Sequence, residues 1–337
     1  MRYTFLSAAL MVPAMMFGQA KYTAPKTPWG DPDLQGLWPA AANIPMQRPA
    51  NLGDRSTLSK EEYERQVTLA RQRDEADQQE FAPSAGGVTI NPPGYWVERA
   101  KPHEQTSLVV DPPDGRVPPL TPSGRDVVKS LRGGLGPGQH FPEKVDSYED
   151  FDFYSRCISR GLVSSMLPTL YNYGNLIVQG PGYVAITYEM VHEARVIPLT
   201  SAPHPGERIR MYMGDAKGHW EGNTLVVETT NFTDKIAYRG SSEHLKLTER
   251  FTRTGPDSVE WSSTFDDAHT WATPWTFAMT LSRKDDSQRP FEYACHEGNY
   301  AMFHLLEAQR AEDKAVAEDA KKGIVRARTG GTDEGER

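Results

Sequence analysis

Histidine is followed directly by glutamate three times in this chain, at His103-Glu104, His192-Glu193 and His296-Glu297, and His219 and Glu221 stand two apart. The two residue types together can run acid–base chemistry or ligate a metal. Neighbours on a strand face opposite ways, so only His219 and Glu221 can point together. No His-x-x-x-His or Cys-x-x-Cys spacing occurs. A metal centre is therefore not specified, and turn histidines and glutamates are ordinarily solvated.

Glu249 is the most informative single residue. Its strand mates Leu245, Leu247 and Phe251 are apolar, and glutamate is seldom buried without a partner. Facing a cavity, it would gain a raised pKa suited to acid–base work. Paired with an inward arginine or tyrosine, it would be structural, and a register slip of one residue would turn it outward. Tyr188, Glu189, His192 and Arg195 lie within eight residues at a hairpin bend and supply acid–base groups with an anion clamp. Asp266, Asp267 and His269 form a second polar loop, whose paired carboxylates have the composition of a glycosidase site. The catalytic candidates are thus Glu249, His192, His219 and Tyr188. No nucleophile elbow, phosphate loop or dinucleotide fingerprint is present.

These residues must be positioned by strands. The stretch Gly218 to Phe232 holds a turn at Gly222-Asn223, followed by the alternating β-branched run Thr224 to Thr229. Strands are also expected at 105–110, 176–179, 183–189, 194–199 and 208–213. Three further runs alternate with period two: Leu245, Leu247, Glu249 and Phe251; Val259, Trp261, Ser263 and Phe265; Trp275, Phe277, Met279 and Leu281. Phe291, Tyr293 and Cys295 end the series. No helix among them is long enough for a parallel crossover. The expected fold is mainly β, an antiparallel up-and-down meander closing into a barrel, with a two-sheet sandwich as the alternative.

Outside the meander the chain reads as accessory. Residues 1–20 have the short basic start, apolar run and small-residue end of a signal peptide. Residues 21–152 are an extended N-terminal arm with peripheral helices, one capped by Ser59 with Glu62, another by Thr121 before Pro122. The barrel takes 153–298, a charged helix 299–322 packs through Met302, Leu305 and Leu306, and 323–337 form a disordered tail.

The formal charge of −8, with no basic block, argues against nucleic acid as a partner. No run of residues is apolar enough to span a membrane beyond the short leader. The two cysteines, Cys157 and Cys295, most simply form one disulfide in an oxidising compartment. The protein is accordingly expected to be secreted or periplasmic. Oligomeric state and cofactor are not legible.

The segments Gln179 to Gly182, Gly218 to Thr229, Glu249-Arg250-Phe251 and Glu292 to Asn299 resemble those of a functionally unassigned family of secreted soil-bacterial proteins. That likeness runs from about Ser107 to Leu306. The hairpin and the strands after it are similar, more loosely, to lipocalin-like (calycin) barrels, which implies a ligand cavity but no catalytic residue. The expected function is binding of a small, partly apolar ligand in a cavity lined by Trp261, Trp275, Phe277, Phe251, Phe265 and Met279, with Arg195 at its rim. The alternative is a secreted lyase, isomerase or hydrolase using Glu249 with His192 or His219.

Overall fold

A computed structural model describes residues 22–77, 98–130, 145–169, 171–235, 238–283 and 289–325. The leader and most of the C-terminal tail lie outside these residues. The first elements are strands β1 (Gly36–Leu37) and β2 (Ala42–Asn43), helix α1 (Lys60–Asp77), strands β3 (Lys101–Pro102) and β4 (Val109–Asp111), and helix α2 (Pro122–Ser130). Strands β5 (Asn175–Gly180), β6 (Tyr183–Tyr188) and β7 (Ala194–Pro198) follow. The long meander comes next: β8 (Asp215–Glu221), β9 (Thr224–Thr230), β10 (Lys246–Gly255), β11 (Ser258–Asp266) and β12 (Trp275–Ser282). Helix α3 (Tyr300–Lys321) closes the described chain.

The caps form as their residues require. Glu62 N–H donates to Ser59 Oγ (3.2 Å), and the Glu62 carboxylate accepts from Ser59 N–H (2.8 Å). Thr121 Oγ1 accepts from Gly124 N–H (3.0 Å) at the start of α2. No residue of α3 is buried, and Met302, Leu305 and Leu306 are only half-buried.

The strands form two antiparallel sheets rather than one closed barrel. One has six strands in the order β4-β12-β11-β10-β9-β8, the other four in the order β1-β5-β6-β7, and β2 pairs with β3 in parallel. The expected barrel closure is corrected at two places among the described residues. Between β7 and β8 the contact is a single parallel bridge, Leu199 to Gly218. The segment expected as a strand at 208–213 is a turn, in which Met211 makes an isolated bridge to Phe232. Without that strand the meander cannot run from one sheet into the other by hydrogen bonds.

The face alternation within the sheets is as the pattern predicts. Trp261 sits opposite Phe251 and Met279, and Phe265 sits opposite Leu247 and Trp275. All six belong to one cluster with Ile186 and Tyr188 of β6 and Ile197 of β7, so the two sheets share a core. The N-terminal arm is part of that core. β1 adds a strand to β5, and Leu34, Trp38 and Ala40 are fully buried. Trp29 is the exception, half open to solvent and bonded to its neighbour Asp31.

Candidate functional site

Glu249 faces inward, and its partner is there. The Arg195 guanidinium on β7 donates two hydrogen bonds to the carboxylate, Nη1 to Oε2 (2.5 Å) and Nη2 to Oε1 (3.0 Å), with neither side chain accessible to water. Trp261 Nε1–H donates a third, to Oε1 (3.1 Å). Burial is the largest influence and acts to lower the Arg195 pKa, but the Glu249 charge and its hydrogen bonds, with the neighbouring Tyr188, together more than offset it, and the net direction is upward. The Tyr188 hydroxyl lies near this pair, fully buried, with no hydrogen-bond partner in bonding geometry. Its acidity is suppressed, by burial first. This bidentate fork joins the two sheets through their inner faces and pairs both charges, leaving Arg195 Nε without an acceptor among the described residues.

The aromatic side chains expected to line a cavity pack on one another. Phe265 stacks on Trp275 at 4.2 Å, Trp261 meets Phe277 edge-on at 4.9 Å, and Phe251 lies parallel to Trp261 at 6.3 Å. Trp261, Phe265, Trp275, Phe277 and Phe251 expose no surface. A void beside Phe265, bounded by Leu162, Val163, Phe232, Leu245 and Leu247, measures about 10 Å³, room for one water at most.

The other sequence-selected residues are dispersed. His219 and Glu221 do point together, at 3.2 Å, but on the exposed face of β8, where Glu221 also binds Arg250 (2.8 Å). Asp267 is buried and saturated by Ser242 N–H and Oγ, Thr270 Oγ1 and His269 N–H. Asp266 is exposed and sits one strand position away, on the opposite face. Among the described residues no group of three or more His, Cys, Asp or Glu could hold a metal ion.

A different place collects polar groups, at the end of the β6–β7 hairpin. Three segments meet there: 152–173, the bend 189–193, and 291–299. The Cys157–Cys295 disulfide joins the first to the last. Phe291–Cys295 was expected to be a strand, but its backbone groups are satisfied by side chains instead. Phe291 N–H donates to Glu189 Oε1 (2.9 Å), and the Tyr293 carbonyl lies 2.8 Å from His192 Nδ1. Asn299 donates to the Ser155 carbonyl (2.9 Å).

The backbone here is unusual. Of the seven non-glycine residues with positive φ among those described, five fall in this region: Cys157, Val163, Asn172, Val191 and His192. Val163 and Val191 are β-branched, for which this conformation is strained. Strain of this kind costs roughly 1–3 kcal/mol per residue and persists only where surrounding contacts impose it.

The side chains at this rim include Arg160, Tyr154, Tyr171, Tyr293, Glu189 and Glu193, and the segment 152–173 also carries Asp152 and Arg156, the latter over the Phe153 ring at 4.6 Å. The Arg160 guanidinium lies over the Tyr154 ring at 5.3 Å, and Tyr171 stacks with Tyr293 at 6.4 Å. All four are half-buried. Burial depresses the Arg160 pKa, opposed by the neighbouring phenols of Tyr154 and Tyr293. Burial likewise raises both phenols, so they stay protonated at neutral pH. Glu189 accepts from Gly174 N–H (3.0 Å), Asn172 Nδ2 (3.2 Å) and Phe291 N–H. Glu193 receives the Ser159 hydroxyl at 2.7 Å from each oxygen, and burial raises its pKa despite that bond. Both carboxylates are thus answered by neutral donors. Arg160 Nη1 is buried and finds no acceptor among the described residues.

Set against known proteins, the chain matches no family model, no curated protein and no solved structure. No described helix is long and apolar enough to cross a membrane.

Proposed function

We propose that this is an extracytoplasmic binding protein that takes a small, partly apolar ligand at the disulfide-clamped rim, not within the aromatic interior. The observation that carries this is the convergence of strained backbone with half-buried aromatic and cationic side chains on one disulfide-tied junction. A protein holds such geometry against its own conformational preferences where the arrangement is used. The rim also has the makeup of a small-molecule site, aromatic walls with a few placed polar groups. The leader-like N-terminus and the disulfide support the compartment. The resemblance to secreted soil-bacterial proteins and to calycin barrels adds an expectation of ligand binding, with the seat moved from the barrel interior to the hairpin end.

The lyase, isomerase or hydrolase reading needs Glu249 and a histidine in one cavity. Glu249 is spent on Arg195, while His192 and His219 are exposed elsewhere. The binding reading is the better supported.

The test is a ligand-observed NMR screen of small organic molecules against wild type, Tyr293→Phe and Phe277→Leu. Hits weakened by Tyr293→Phe and kept by Phe277→Leu are the expected result. Hits kept by the rim variant and lost with Phe277→Leu would return the ligand to the interior and sink the proposal.

A further inference from the structure

Arg195 and Arg160, the one buried and the other half-buried, differ in one respect that bears on ligand chemistry. Arg195 is neutralised by Glu249, and Arg160 is neutralised by nothing among the described residues. A half-buried guanidinium without a counter-ion forgoes charge-assisted hydrogen bonds, which are about twice as strong as neutral ones. The rim carboxylates do not serve it, since Glu189 and Glu193 are bonded to backbone amides, Asn172 and Ser159, and Asp152 accepts from Ser155 N–H (2.6 Å) and feels the charge of Arg156. What does adjoin it are the phenols of Tyr154 and Tyr293, both held protonated; the Tyr154 hydroxyl donates to Met190 Sδ (3.6 Å), a weak acceptor that a carboxylate can displace.

One uncompensated positive charge with phenol donors beside it is complementary to a single negative charge on a fork of oxygens. The stacked faces of Tyr171 and Tyr293 supply a flat apolar wall. We propose that Arg160, with the hydroxyls of Tyr154 and Tyr293, seats the carboxylate of a small aromatic acid whose ring lies along Tyr171 and Tyr293. This rests on the rim being the ligand site. Inorganic phosphate is a poorer match, because it offers no ring to lie along Tyr171 and Tyr293.

The experiment is calorimetric titration of the mature protein, disulfide intact, with benzoate, benzamide, cyclohexanecarboxylate and inorganic phosphate. Benzoate is expected to bind about tenfold or more tighter than its neutral isostere benzamide, the worth of a charge-assisted bond. Arg160→Gln should erase that difference, Arg160→Lys should keep part of it, and Arg208→Gln, an exposed control, should keep all of it. Cyclohexanecarboxylate and phosphate should both trail benzoate. Equal binding of benzoate and benzamide by wild type overturns the inference and needs no variant to fold. So does the absence of benzoate binding at millimolar concentration. If that happens while screen hits are still lost with Tyr293→Phe, the rim stands and its ligand class is wrong. If benzoate binds with its preference intact in Arg160→Gln, the carboxylate is held elsewhere and both readings fall.

Discussion

Arg195 and Arg160 sit in the same β6–β7 neighbourhood, yet one is finished by the fold and the other is left open. Arg195 projects from a strand whose register brings it onto Glu249 of the opposing sheet, in a fork that also takes the Trp261 indole. Arg160 leaves an irregular segment held by a disulfide and by backbone in strained conformations, and meets only phenols. The contrast separates two uses of buried charge. In the regular core it is closed off and fastens the two sheets. At the irregular rim it meets no carboxylate among the described residues, and we assign it to a ligand.

The largest expected effect breaks the closed half of this contrast. Glu249→Gln strands Arg195 without a charge partner and should cost on the order of 3–5 kcal/mol in chemical denaturation. Replacing both partners, as Arg195→Met with Glu249→Leu, should recover most of that loss, since the desolvation of both charges is removed as well. Arg160→Gln, by contrast, should cost about 0.5–1 kcal/mol, the worth of a cation over the Tyr154 ring. A near-neutral Glu249→Gln would show that the pair does not hold the sheets.

The register behind the pair can be tested at comparable scale. Trp261→Ala empties a fully buried site that packs on Phe251 and Phe277 and should cost about 3–5 kcal/mol. Glu260→Ala, one residue back on the exposed face, should stay within about 0.5 kcal/mol. Similar losses at both positions would contradict the alternation on which the core depends.

The smallest effect sharpens the open half. Glu193 has a folded pKa raised by burial, so the folded state binds its proton more tightly than the unfolded state. Its contribution to stability therefore declines as pH rises from the ordinary carboxylate pKa through the raised one, and is flat above. Glu193→Gln should remove that decline, matching wild type at pH 4 and equalling or exceeding it at pH 7. Thermal melts of the two proteins across that range check it. A variant that loses more stability at pH 7 than at pH 4 would mean that the ionised carboxylate is needed, and that the rim is not as neutral as described.

Periodicity along the chain was enough to place β9 to β12, to face Trp261, Phe265, Trp275 and Phe277 inward, and to mark Glu249 as the polar residue among them. Side-chain direction in a strand follows from backbone geometry alone, so local order carries that information. The caps at Ser59 and Thr121 were legible for the same reason, since they depend on residue type and short spacing, while the disulfide, which spans 138 residues, was legible because the chain has only two cysteines to pair. Three things were decided only by the tertiary structure. The partner of Glu249 lies 54 residues away on another sheet, and no local pattern selects Arg195 over other arginines. The meander stayed open because 208–213 turned instead of pairing, a choice made by what its backbone could reach across the fold. Of the rim only the hairpin bend with Glu189 and His192 was legible, and Arg160, Tyr154, Tyr171 and Tyr293 were missed because they have no period and no motif. They come together only once a disulfide and several bonds from side chains to backbone have brought three irregular segments to one place.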